Sequence, residues 1–450
     1  MKKIFVITYA LLVANTIIAQ DTTAKKADEL LTAYAKLNRF NGSVLIAKKG
    51  TVLLQKGYGI KNAASKTTNN ADTKFQIASV TKQFTAAVIL KLVELKKMAL
   101  TDKLSKYYPG FANGDSISIE QLLTHTSGLR NFTEEDSSIE KTNELLMVPY
   151  LKTFKPDFAP GTNWHYSNSG YVMLGYIIQK VSGTSYWAAV RKYIFTPLHM
   201  NNSGFDFANA PGDKATGYNV LNDSIQQPSA ITDSTVPFAA GAIYATVKDM
   251  YQWHTGLQQY KIVGKTLMDK AYKPCTKNNY GYGWQIDSLF GRRVLSHSGS
   301  ISGFGSNFAR VTEDDICIVL LSNAAGSTGE LMHITNKLLA ILYSQPYSIP
   351  VKRVPVAVSE EELKQYQGTY EIADMHLTIE MVLDKGVLLG LPSRDGHRGP
   401  TSVLIGLGNK LFYDQKDEEL EISFDTGAAG KVKGMTILQM GIKKYATKIK

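Results

Sequence analysis

Cysteine is scarce in this sequence, charge is thin, and long apolar runs are missing. Cys275 and Cys317 are the only cysteines in 450 residues, too few for a disulfide framework and without the paired-Cys spacing of a structural zinc site. Charged residues make up 20% of the chain against 44% hydrophobic, which excludes the composition of a disordered polymer and supplies enough apolar material for a large core. No uncharged apolar stretch reaches the roughly 20 residues that cross a bilayer as a helix. Lys and Arg number 50 against 39 Asp and Glu, a balance of +11. The surplus is diffuse, with no basic arm and no aromatic–basic interleaving, so a nucleic-acid partner is set aside. Residues 351–450 carry 14 basic and 14 acidic side chains, so the whole surplus belongs to residues 1–350. A basic face of that kind would favour an anionic substrate or polymer.

The start of the chain reads as an address. Lys2 and Lys3, the apolar run Ile4 to Ile18 and the small Ala19 before a polar stretch have the layout of a secretory signal peptide, with cleavage expected after Ala19 or Gln20. The mature chain is then expected to be exported, periplasmic or extracellular, without stable membrane insertion. Export would also permit a Cys275–Cys317 disulfide.

Within the mature chain, residues 26–38 have helical apolar spacing, and the segment from Gly42 to Gly59 predicts two short strands joined by a Lys-Lys-Gly turn. Ser79 to Leu95 is apolar on most faces and predicts a buried central helix. Further helices are expected at 119–124, 140–152, 168–182, 184–193, 247–258 and 325–343, and strands at 282–287, 292–297, 304–311 and 316–322. Pro346, Pro350 and Pro355 mark a linker over 346–358 between a domain at 21–345 and a second at 359–450. The short strand-like runs of the last hundred residues predict a small β-barrel or curled sheet.

Three clusters carry chemistry. In Ser79-Val80-Thr81-Lys82 the Ser and Lys stand three apart, on one helix face, so an amine can sit beside the hydroxyl. The helix start adds N–H groups and a dipole that favour a developing oxyanion. Tyr166-Ser167-Asn168 supplies a phenol that a neighbouring ammonium would hold as phenolate, hence a proton acceptor for Ser79. Asn168 offers an amide able to grip a substrate backbone. His297-Ser298-Gly299-Ser300 follows a strand, where Gly allows close approach of a substrate to the strand edge and the flanking side chains can bind its carboxylate or carbonyl. Each cluster alone also fits a plain structural role: a helix-start Ser with a solvent-facing Lys, an Asn helix cap, a turn with an exposed His.

Taken in order, Ser79-x-x-Lys82, Tyr166-x-Asn168 and His297-x-Gly299 resemble the three active-site motifs of the penicillin-recognising serine hydrolases: class C β-lactamases, D,D-peptidases and related esterases. The phrases LLTHTSGL (122–129), FAPGTNWHYSNSGY (158–171), YGYGW (280–284) and VLLSN (319–323) are similar to that family as well. The resemblance implies an α+β fold with an antiparallel sheet flanked by helices and a helical subdomain. It implies Ser79 as acylated nucleophile, Lys82 as its activating partner, Tyr166 as general base, Asn168, His297 and Gly299 at the substrate, and the N–H groups of Ser79 and Ser300 as oxyanion hole. No cofactor or metal is expected. The substrate would be a small molecule or cell-wall peptide carrying a peptide, amide or ester bond; a class C-like β-lactamase and an inert cell-wall-peptide binder are the alternatives. The third motif departs from class C β-lactamases, with His297 where they carry Lys, so a substrate carboxylate would meet only a partly charged partner. His125 in THTSGL is expected to order a loop near the cleft, and YGYGW to serve as sheet core.

Overall fold

The computed structural model describes residues 22–136, 138–394, 397–415, 418–427, 430–439 and 442–450; the export signal read at 1–20 lies outside the described residues. The chain divides into two compact units, residues 1–338 and 339–450, so the division falls inside the last helix of the first unit rather than at the proline-marked stretch.

The first unit is organised by a six-stranded antiparallel sheet of β1 (Gly42–Lys48), β2 (Thr51–Tyr58), β3 (Gln285–Leu289), β4 (Arg292–Ile301), β5 (Phe304–Val311) and β6 (Ile316–Ser322), in the spatial order β2-β1-β6-β5-β4-β3. The chain thus leaves the sheet after β2, builds the helical subdomain, and returns for the other strands. β5 and β6 are buried at every position, which requires cover on both faces. Side chains of opposite parity on β5 show that cover. Asn307 donates to Thr335 Oγ1 at 2.6 Å in the helix Thr328–Leu342, and Arg310 Nε donates to His254 Nδ1 at 2.9 Å in the helix Val247–Gln258.

The central helix runs Thr81–Glu94, with its first ten residues buried, as its nearly all-round apolar sequence requires. It opens later than expected from the sequence, because Ala78–Val80 form a separate 3-10 turn with Ala78 in the left-handed region at φ 47°. The helix expected at 184–193 splits into Tyr186–Val190 and a wider π turn, Arg191–Phe195. Cys317 is buried in β6, and both cysteines are free thiols, so the permitted disulfide is not formed.

The second unit is an antiparallel sheet whose strands Leu377–Asp384 and Val387–Arg394 pair with each other as well as with their outer neighbours, closing a barrel. Its core stacks Tyr366 on Phe424 at 4.2 Å, with Tyr370 and Phe412 around them.

Candidate active site

The turn that carries Ser79 is fixed before and after it. Ile77 N–H donates to Ile243 O at 2.9 Å, and Ile243 N–H donates back to Thr81 Oγ1 at 3.1 Å. Behind the turn, Ser306 Oγ of β5 donates to Ile77 O at 2.7 Å. Ser79 therefore projects from a rigid, locally strained turn at the mouth of the central helix.

Lys82 is fully buried and its Nζ has three neighbours: Ser79 Oγ at 3.1 Å, Asn168 Oδ1 at 2.8 Å and Ala240 O at 2.9 Å. Burial holds its amine well below the ordinary lysine range. A neutral amine has two N–H groups and a lone pair. Asn168 Oδ1 and Ala240 O can only accept, so they take the two hydrogens and the lone pair is left for the Ser79 hydroxyl proton.

Tyr166 meets the Ser79 hydroxyl, and Lys82 Nζ lies 4.7 Å from its ring centre. Burial pushes the phenol above its usual value, only partly offset by the Ser79 contact. This corrects the phenolate expected from the sequence: depressed lysine and raised tyrosine both favour the neutral pair, amine plus phenol. Asn168 does not cap its helix. Ser167 does, accepting from Gly170 N–H at 3.2 Å, which frees Asn168 to bridge Lys82 and Thr133 Oγ1, the latter at 3.1 Å.

The third motif requires two corrections. His297 is buried, with Nδ1 2.6 Å from Ser298 O and Nε2 2.8 Å from Tyr280 Oη. The carbonyl can only accept, so Nδ1 carries the proton and Nε2 accepts from the phenol. Burial, with Lys82 nearby, pulls its pKa down to about 3, so the ring is neutral and both nitrogens are occupied by protein. It cannot be the partly charged carboxylate partner expected above. Gly299 is needed for packing, not for substrate approach: a Cβ there would lie 2.4 Å from Ile77 O and 2.5 Å from Ser306 Oγ. Gly299→Ala is accordingly expected to destabilise the protein by about 1–3 kcal/mol through overpacking, read by urea denaturation, and to slow Ser79 acylation because the displaced neighbour is the nucleophile turn.

Ser300 is exposed on the cavity. β4 pairs with β3 only over Arg292–Ser296 and with β5 over Leu295–Ile301, so beyond Ser296 one edge of β4 has no strand partner. Ile301 and Phe304 close a two-residue turn, and strand alternation directs the backbone groups of Ser298 and Ser300 to that open edge.

Two contributors were missed by sequence reasoning. Tyr280 was assigned to sheet core, yet its hydroxyl occupies His297 Nε2; in the same YGYGW run Gly283 packs on the central helix, where a Cβ would lie 2.8 Å from Lys82 O. Ala240 O, the second acceptor for Lys82, is a backbone group that no side-chain motif could signal.

Ser79, Asn168 and Ser300 line a cavity of about 680 Å³. Its walls bring Asp136, Glu140 and Asp233, while no Lys or Arg belongs to the lining. None of the three carboxylates lies within 4.0 Å of a described Lys or Arg, although Lys141 is near enough to Asp233 to help hold its carboxyl low; Asp136 accepts from Ser138 and Asp233 from Thr235. The anionic preference suggested by net charge is therefore reversed at the cavity itself.

A cavity-lining Ser beside a buried Lys at a helix mouth, faced by Tyr and Asn from the helical subdomain and by an open strand edge, defines a site of the β-lactamase/transpeptidase-like class. The beta-lactamase family model matches residues 27–341, and the chain belongs to that family. It is 28% identical over 380 residues to penicillin-binding protein 4* of Bacillus subtilis, covering 78% of this chain and 83% of that protein. Among solved structures, the octameric penicillin-binding protein homologue from Pyrococcus abyssi superposes with a TM-score of 0.67 at 24% identity, covering 94% of this chain and 99% of that one. The D-amino acid amidase from Ochrobactrum anthropi SV3 complexed with D-phenylalanine gives 0.62 at 21% identity, covering 70% and 98%.

Proposed function

We propose that this protein is an exported serine hydrolase that forms an acyl-enzyme at Ser79 and cleaves amide or ester bonds in small substrates bearing an ammonium group, D-aminoacyl amides and short D-residue peptides among them. The observation that carries the reading is the buried Lys82 amine, 2.8 and 2.9 Å from the carbonyl oxygens of Asn168 and Ala240 and 3.1 Å from the Ser79 hydroxyl, with burial holding it well below the ordinary lysine range. In the first step Ser79 Oγ attacks the scissile carbonyl while its proton passes to Lys82 Nζ. The oxyanion forms between the N–H groups of Ser79 and Ser300. The proton then returns from Lys82 through the Tyr166 phenol to the departing amine or alcohol, and water repeats the sequence on the ester.

The substrate class follows from charge. Both a β-lactam and a C-terminal D-Ala-D-Ala peptide bring a carboxylate, which would meet three carboxylates and a neutral His297. An amine would be favoured by the same field. A structural neighbour named as a D-amino acid amidase has the same fold, and the apolar run after Lys2-Lys3 supports export.

The test compares D-phenylalanine p-nitroanilide with its N-acetyl analogue on the parent and on Asp136→Asn/Glu140→Gln/Asp233→Asn. KM for the free amine should rise about tenfold in the triple variant, with the N-acetyl substrate little changed and the difference shrinking at high salt. Equal KM for both substrates in the parent enzyme would reject the ammonium preference.

A further inference from the structure

The segment Thr124–Gly128 runs alongside 157–167 and ties to it at successive points. Asp157 N–H donates to Gly128 O at 3.0 Å, Gly161 N–H to Thr126 O at 2.7 Å and His165 N–H to His125 O at 3.1 Å. A fourth bond is not backbone to backbone: Ser167 N–H donates to His125 Nδ1 at 3.1 Å. His125 thus holds the backbone N–H groups of the residues before and after Tyr166, His165 through its carbonyl and Ser167 through its ring.

Three further features mark His125. Its backbone is left-handed, at φ 60°, an uncommon conformation for a residue with a side chain. The ring is 1% exposed and lies 4.4 Å from the Tyr166 ring, with Tyr280 at 4.7 Å and Tyr171 at 5.1 Å. Because Nδ1 accepts from a backbone N–H, the ring proton is on Nε2, which has no hydrogen-bond partner among the described residues. A strained backbone and an unpartnered buried N–H are both costly, and they persist where the surroundings require the geometry. Burial, with Lys82, His297 and His165 nearby, holds the ring well below the ordinary histidine range, so it stays neutral and takes no proton from the reacting groups.

We infer that His125 is the positioning residue of Tyr166: its carbonyl and its Nδ1 clamp the backbone on both sides of that residue and so set the phenol on the Ser79 hydroxyl. The inference rests on the reading of Ser79, Lys82 and Tyr166 as the reacting centre. It attaches the role to an acceptor at the Nδ1 position and to a residue that tolerates the left-handed backbone, not to imidazole chemistry. Asn meets both conditions, since its Oδ1 stands where Nδ1 does and Asn is among the residues enriched at positive φ.

The experiment compares the parent chain with His125→Ala and His125→Asn, following acylation of Ser79 by p-nitrophenyl acetate in single turnovers, the thermal midpoint, and amide hydrogen exchange over residues 164–168. The Ala variant should lose about a hundredfold in acylation rate with little change in substrate affinity, as a displaced catalytic group does, and its 164–168 amides should exchange faster. The Asn variant should recover most of the rate and the protection, with the acid limb of the pH profile where the parent has it. An Asn variant that folds like the parent but is as slow as Ala would overturn the proposal, because the imidazole itself would then be required; so would an Ala variant with parental rate and exchange. If Ala does not fold, recovery by Asn decides. If the parent shows no Ser79-dependent acylation, the reading of the site fails separately, and the exchange of 164–168 still decides whether His125 is the clamp.

Discussion

Ser79→Ala is expected to leave the fold intact and to lower hydrolysis of p-nitrophenyl acetate and D-phenylalanine amide by about ten-thousandfold or more, since a nucleophile and its base act as one unit. The substitution removes a single oxygen from a partly buried side chain. The turn beneath it is held by Ile77, Thr81, Ile243 and Ser306, so the hydroxyl itself contributes only its contacts with Lys82 and Tyr166. Intact-protein mass spectrometry after quenching should show an acyl adduct on the parent and none on the variant. An adduct that survives in Ser79→Ala would locate the nucleophile elsewhere and end the acyl-enzyme reading. Benzylpenicillin, whose carboxylate must enter the same cavity, is expected to label the parent more slowly than the neutral ester.

Lys82→Met should be nearly as damaging, for a reason that pH can expose. Without the amine the Ser79 proton has no acceptor, and acylation should fall about a thousandfold. In the parent, acylation should rise with pH as Lys82 loses its proton and then level off. His297, at about 3, contributes no inflection in the neutral range. The same group leaves a mark on stability. The folded protein holds Lys82 neutral below the ordinary value of 10.5, so between its folded pKa and 10.5 the unfolded chain binds one more proton. Stability of the parent relative to Lys82→Met should therefore increase with pH across that window, by about 1.4 kcal/mol per pH unit, and stop increasing above it. A difference that is flat from pH 7 to 10, measured by urea denaturation, would mean that Lys82 is protonated in the folded state and that Tyr166 has to act as the base.

Much of this was legible in the residues. The all-apolar run after Ser79 announced a buried helix, and residues 316–322 announced a strand. The three-residue spacing of Ser79 and Lys82 placed an amine beside a hydroxyl before any coordinates, and the Gly- and Asp-broken runs of the last hundred residues suggested the barrel that the pairing of Leu377–Asp384 with Val387–Arg394 closes. Protonation states were less legible. The ordered motifs imply that Lys82 and Tyr166 meet, but their charge depends on how much water the fold removes from around them, and that is set by Asn168, Ala240 and the subdomain packed over them. His297 was misread for the same reason: a ring judged by its ordinary titration turned out to be buried, with the Tyr280 hydroxyl on one nitrogen.

The sequence by itself determined the order of elements, the pairing of Ser79 with Lys82, and the family, because these rest on local spacing and on short motifs read in order along the chain. Only the tertiary structure decided that burial depresses the Lys82 amine, that Gly299 packs against the Ser79 turn, that His125 brackets Tyr166, and that a chain with net charge +11 lines its cavity with Asp136, Glu140 and Asp233. Each of these depends on groups far apart in sequence brought within a few ångströms, where desolvation and hydrogen bonding outweigh composition.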